Sequence, residues 1–351
     1  MGKGVLLKAI SVASGCPIPP FVRFQGSDRM EIKTPKPWLT AEQQVAHLEA
    51  EGVRFEMADR FEAESYLKTN NNFFRINQFK KGFPRYCGGL HNGEYIHLDF
   101  AMLKNLAIID YEFRQVLLLT TMDVEHFAKI KLLSYLEKKG EDGYSIVADF
   151  LASRDRVGKD GATVINPVKV EIDRAKEGCY TGAFVDGYPG YEFPVWVFVE
   201  LIPFGVFNQF LLFVANKHDD KKLRSAFYRL QSVKSLRNAC GHNNCVLDDL
   251  KSGEPKYQVG HEVKNALRAV GFSDPTLRTK MSNDRLQQIS TALYMHHRMA
   301  SSGVIAAKGE QLRHITDRMY RNIDYYEKND VVRSSFQYFK KLVDAWYPDA
   351  S

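Results

Sequence analysis

From Asp99 to Lys139 the chain contains neither proline nor glycine, while Leu103, Leu106, Ile109, Phe113, Leu117, Leu118, Met122, Phe127 and Ile130 recur at helical spacing. That periodicity predicts one long helix or two abutting ones. Strand signals elsewhere are short and sparse, so the fold class is mainly α. A chain of 351 residues with 44% hydrophobic content can bury a sizeable core, which excludes wholesale disorder.

Local signals divide the remainder. Pro17, Pro19, Pro20, Pro35 and Pro37 mark residues 1–37 as an N-terminal arm. Thr40 and Gln43 have the spacing of a capping box, opening a helix that runs to about Ala50. Arg154–Gly161 and Cys179–Pro194 read as loops. The apolar window Trp196–Val214 carries Glu200, Pro203, Asn208 and Gln209, so it reads as a core helix begun by Pro194 rather than as a membrane span. Leu223, Ala226, Phe227, Leu230, Val233 and Cys240 form an amphipathic stripe. Residues 283–302, 306–327 and 330–346 read as helices, with breaks at Gly303 and near Asn329. The resulting division is an arm (1–37), an N-terminal helical region (38–95), a helical core (96–250) and a C-terminal helical region (251–351).

Forty-eight basic residues against forty-two acidic ones give +6, an excess that favours a polyanionic partner without demanding one. Five cysteines without regular spacing make no disulfide framework and point to a reducing cytoplasm. At the N-terminus, Lys8 interrupts what would be a short lipoprotein-type apolar stretch, and Leu6 stands where myristoylation wants Ser or Thr.

The segment that stands out is Ser235-Leu236-Arg237-Asn238-Ala239-Cys240-Gly241-His242-Asn243-Asn244. At 100° per residue Arg237 falls inside the apolar stripe, where a guanidinium needs a partner. Gly241 is placed to turn left-handed after the helix and carry His242 beyond its end, with Asn238 contacting that turn and standing as the third catalytic candidate beside Arg237 and His242. An Arg that holds a phosphate beside an imidazole is sufficient for metal-free RNA cleavage: the 2′-hydroxyl attacks, His242 moves the proton and Arg237 stabilises the developing charge. Glu200, also stranded among apolar residues, is placed to pair with Arg237 or orient it if the two helices pack. From Asn216 to His242 seven basic residues face two acidic ones, and Arg229, Lys234 and Asn243 are the candidate RNA contacts, with Phe227 and Tyr228 available for stacking.

Competing readings exist for each. Arg85 and His91 repeat the Arg–His spacing inside a glycine-containing turn. Cys240, His242 and Cys245 offer three metal ligands without a fourth. His296 and His297 are adjacent on a helix and face different directions. The basic run also fits a solvated helix face with core aromatics.

Several segments, in order, resemble the abortive-infection proteins of the AbiD and AbiF type within the HEPN superfamily. They are Tyr66-Leu67 with Asn72-Phe73-Phe74-Arg75-Ile76; Ile109-Asp110-Tyr111-Glu112-Phe113-Arg114; Trp196 with Glu200, Phe204 and Gly205; and Leu236-Arg237-Asn238 with His242. Phe73 and Phe74 stand where that family has paired tyrosines. The resemblance implies a HEPN-type helical bundle and a phage-defence endoribonuclease needing no cofactor or metal, with Arg237 and His242 as its catalytic pair. It further implies a homodimer that completes a composite site, single-stranded RNA as substrate, and a small non-coding RNA as a possible bound partner. The alternative is a non-catalytic RNA-binding protein of phage defence.

Overall fold

The computed structural model describes residues 37–158, 161–162 and 164–348, so the predicted arm lies, but for its last residue, outside the described residues. Among these the chain forms fifteen α-helices and one two-stranded ribbon, and the fold is mainly helical as its periodicity implied. Helix α1 (Ala41–Ala50) opens on the capping box: Gln43 donates its backbone N–H to Thr40 Oγ1 at 3.2 Å, and Thr40 donates its own to Gln43 Oε1 at 2.9 Å. Asp59 and Asn72 cap α2 (Arg60–Thr69) and α3 (Phe73–Lys80) by accepting the N–H groups of Glu62 and Arg75, without the reciprocal bond.

Helix α4 (Phe100–Lys139) is one unbroken element. Asp99 fixes its start, accepting from Ala101 N–H with one oxygen and from Glu56 and Met57 N–H with the other. Gly140 ends it with a left-handed φ of +68°. After α5 (Ser145–Ala152), β1 (Arg156–Val157) and β2 (Val164–Ile165) pair antiparallel, and α6 (Pro167–Lys176) follows. The stretch read as a loop from Cys179 to Pro194 instead contains the short α7 (Gly182–Asp186) and a 3-10 turn at Pro189–Tyr191.

The Trp196 window is two helices rather than one. Helix α8 (Val195–Leu201) stops where Ile202 turns extended at ψ 141°, the conformation a following proline enforces, and α9 (Phe204–Lys217) restarts after Pro203. Phe150, Phe198 and Phe210 pack ring on ring at centroid separations of 5.1–5.9 Å and join α5, α8 and α9. Helix α10 (Lys221–Gly241) carries the candidate motif, and α11 (His261–Ala269) and α12 (Asp274–Lys280) follow it. The C-terminal helices are α13 (Asp284–Met299), α14 (Ser302–Arg321) and α15 (Asp330–Trp346). Gly303 does not break the chain there: it lies in the first turn of α14, and the break falls at Ala300 and Ser301.

Helix α4 is the axis. Helices α3, α10, α13 and α14 pack along it, and α9 and α13 flank α10. Helix α10 runs antiparallel to α4: Tyr135 OH donates to Asp220 at the start of α10, while Arg114, about 30 Å back along α4, reaches the turn beyond its end. The last helices share this core, since Phe339 meets Phe113 at 5.3 Å and Tyr326 donates to Asn105 Oδ1 at 2.8 Å.

Candidate functional site

Helix α10 buries Leu230, Val233, Leu236 and Cys240 against α4, α9 and α13. Both Leu236 and Arg237 satisfy the helical period, and the fold buries the leucine and exposes the arginine. The expectation of a desolvated Arg237 is therefore corrected. The helix also ends two residues later than its glycine implied. Gly241 is the last helical residue and Asn243 takes the left-handed φ of +58°. Asn244 N–H bonds Ala239 O at 2.8 Å and Asn243 N–H bonds Cys240 O at 3.0 Å, a Schellman closure with asparagine in the glycine's place. His242, one residue before the reversal, is exposed, as are Gly241 and Asn243 themselves.

Three arginine and carboxylate side chains hold that reversal. Arg114 donates from Nη1 to Asn243 Oδ1 at 2.9 Å, and Arg75 donates from Nη2 to the Asn243 carbonyl at 2.7 Å. Arg114 donates from Nε to Asp110 Oδ2 at 2.7 Å, with both side chains buried. The other Asp110 oxygen accepts the N–H groups of Val246 and Leu247 at 2.7 and 2.8 Å. Burial pushes the Asp110 carboxyl up, while the Arg114 charge and the two N–H groups oppose that shift. Arg75, Asp110 and Arg114 lie in segments that carry the family resemblance, but none of them is given a role in the site from the sequence. Asp110 and Arg114 carried a legible signal all the same, an acid and a base at i and i+4 between Ile109 and Phe113 on a buried face.

Around Arg237 the charges arrange differently from expectation. Its Nη1 lies 3.5 Å from Asn238 Oδ1, and its field reaches Glu125. Burial raises the Glu125 carboxyl, with Lys129 and Arg237 pulling it down and Glu200 pushing the same way as burial. Glu200 is exposed and pairs with Lys129 at 3.6 Å, not with Arg237. The reason is the Pro203 break, which puts α9 rather than α8 broadly against α10. The carboxylate beside the motif is Glu125 of α4, 3.8 Å from the same Lys129.

The three expected RNA contacts are also placed. Arg229 is committed to Glu262 at 3.0 Å and to Ser225 at 2.8 Å. Asn243 turns its oxygen inward to Arg114. The Lys234 side chain lies over Gly205, where a Cβ would stand 3.0 Å from its Nζ, so a side chain at 205 would push the lysine away. Much of the basic run is neutralised locally, with Arg224 on Asp219 at 3.1 Å and Lys217 on Glu141 at 2.9 Å. Phe227 packs on the core while Tyr228 is exposed.

The competing Arg85 and His91 pair has structural duties. Arg85 donates to the Gly93 carbonyl at 2.7 Å and to Tyr95 OH at 2.6 Å, and His91 meets Glu94 at 3.0 Å. Burial pushes the Cys240 and Cys245 thiols up to about 12, a poor state for metal ligation. Among the described residues no three His, Cys, Asp or Glu side chains converge to hold a metal ion, and no helix is long and apolar enough to cross a membrane.

The geometry thus gathers residues from three distant segments at one helix end: Arg75, Asp110 with Arg114, and the turn from Arg237 to Asn244. The sequence profile of the Abi-like protein family matches residues 65–248, just over half of the chain, and spans all of them. No curated protein and no solved structure matches the chain. The chain belongs to the Abi-like protein family.

Proposed function

We propose that this Abi-like protein is a phage-defence endoribonuclease of the HEPN type, cutting single-stranded RNA without a metal ion. The observation that carries the reading is the exposure of Arg237 and His242 together at the end of α10, on a turn held from behind by the buried Arg114 and the half-buried Arg75. Gly241 beside them adds support. It has ordinary helical geometry, and a Cβ there would meet no atom within 4 Å, so the helix end is open to an approaching phosphate backbone.

In this mechanism the ribose 2′-hydroxyl attacks the adjacent phosphorus and the bond to the 5′-oxygen breaks, leaving a 2′,3′-cyclic phosphate and a 5′-hydroxyl. Arg237 binds the phosphoryl oxygens and stabilises their added charge. One imidazole takes the 2′-hydroxyl proton and another protonates the leaving oxygen. Each chain supplies one His242, so a two-fold homodimer furnishes the acid and the base together.

The test incubates wild type, Arg237→Ala and His242→Ala with end-labelled single-stranded RNA in EDTA and analyses the product ends. Cleavage by wild type alone, with cyclic phosphate ends, is the expected result. Cleavage by all three proteins overturns the assignment. Intact RNA copurifying with an inactive wild type replaces it with the RNA-holding reading.

A further inference from the structure

His242 has no hydrogen bond of its own from its imidazole to the rest of the described chain; its backbone alone is tied, through its N–H to Asn238 O at 2.9 Å. Its placement is therefore set by the residues on either side. On one side is the regular end of α10. On the other is Asn243, the only residue of the turn held to other helices, and held twice, by Arg114 through its side chain and by Arg75 through its carbonyl. Arg114 cannot drift, because Asp110 fixes its Nε and is itself fixed by Val246 and Leu247 on the far side of the turn. The strap closes a loop in space: α4 grips the short segment 243–247 at both of its ends, at Asn243 through Arg114 and at Val246 and Leu247 through Asp110.

We propose that Asn243 is the positioning residue of this site, and that Asp110 and Arg114 act through it to fix the direction in which His242 is presented. The inference rests on the ribonuclease reading. Its physical content is that a general acid or base displaced by a fraction of an ångström loses much of its rate while binding is little changed. The side chain of Asn243 serves two ends at once. Asparagine tolerates the left-handed conformation, and its oxygen reaches Arg114.

Two substitutions separate those ends. Asn243→Gly keeps the left-handed turn and the carbonyl that Arg75 binds, and removes only the Oδ1 contact. Asn243→Asp keeps an acceptor, and Arg114 has a spare buried Nη2 that lacks a partner, so a two-point pair can form. On single-stranded RNA in EDTA, Asn243→Gly is expected to lose about 10- to 100-fold in kcat with KM within about 2-fold, and Asn243→Asp to recover most of it. Unchanged kcat in Asn243→Gly, or equal loss in both variants, overturns the inference. Should wild type not cleave, ring-labelled histidine NMR decides independently. The His242 signal, assigned by its loss in His242→Ala, is expected to move or broaden in Asn243→Gly and return in Asn243→Asp. A signal unmoved in Asn243→Gly refutes the positioning role whatever the activity.

Discussion

Arg114 and Asn243 meet at 2.9 Å although 129 residues separate them in the chain, and their contact joins the middle of the longest helix to the turn that follows His242. The guanidinium can make that reach only because Asp110, one turn earlier on α4, neutralises it inside the core.

Breaking this pair from either side leaves a buried charge alone. Arg114→Ala and Asp110→Ala are each expected to cost about 3–5 kcal/mol in denaturant unfolding, the usual penalty for an orphaned buried ion. The double variant is expected to cost less than the two losses together, by more than about 1 kcal/mol. Additive losses would mean that the two side chains contribute separately.

The exposed pair behaves in the opposite way. Arg237→Ala and His242→Ala remove side chains that face solvent, so their unfolding free energies should stay within about 0.5 kcal/mol of wild type while cleavage disappears. Arg85→Ala supplies the contrast. It loses bonds to Gly93 and Tyr95, so stability should fall by on the order of 1 kcal/mol while cleavage per folded molecule persists. Loss of cleavage on replacing Arg85, with Arg237→Ala active, would move the site.

What the sequence made legible is what local chemistry decides. The Thr40 cap, the span of α4 and the Asn329 start of α15 each follow from a few neighbouring residues. The end of α10 does not. Gly241 is the better C-cap by local propensity, yet the reversal falls on Asn243 because Arg75 and Arg114, 168 and 129 residues away, both bind there. Arg237 posed a second such choice, since Leu236 and Arg237 share the edge of one stripe and only the neighbouring helices settle which is buried. Pro203 was visible, but its consequence for Glu200 depended on which half of the broken segment would pack against α10.

Lys280 of α12 is 7% exposed and donates to Ser334 and Ser335, with no carboxylate partner among the described residues; burial lowers its pKa to about 8. Because the folded value lies below the ordinary 10.5, the unfolded chain takes up the proton first as pH falls. The penalty is absent above pH 10.5 and complete below about pH 8, where it amounts to about 3 kcal/mol. Lys280→Met should therefore stabilise the protein at pH 7, and the gain should shrink as pH rises from 8 toward 10.5. A gain that does not vary with pH would place its origin in packing rather than charge.

His296 makes the corresponding case in acid. Fully buried on α13, its Nε2 faces Asp123 of α4 at 3.2 Å and its Nδ1 faces Tyr347 OH at 3.1 Å. A neutral ring donates from Nε2 to Asp123, while its Nδ1 lies 3.1 Å from the Tyr347 hydroxyl, whose own proton goes to the Leu293 carbonyl at 3.1 Å. Burial lowers its pKa to about 4 against the raising effect of Asp123, with Lys308 of α14 and the adjacent His297 adding to the lowering. The folded value again lies below the ordinary 6.5, so stability is complete above that pH and declines toward about 4 as the unfolded chain alone binds the proton. Most carboxylates remain ionised between pH 6.5 and 5, which makes that window diagnostic. Wild-type urea midpoints should fall across it, and those of His296→Gln, whose amide does not titrate, should fall distinctly less, the remainder belonging to His297, whose pKa burial also lowers. Parallel curves for the two proteins would assign the acid sensitivity to another group.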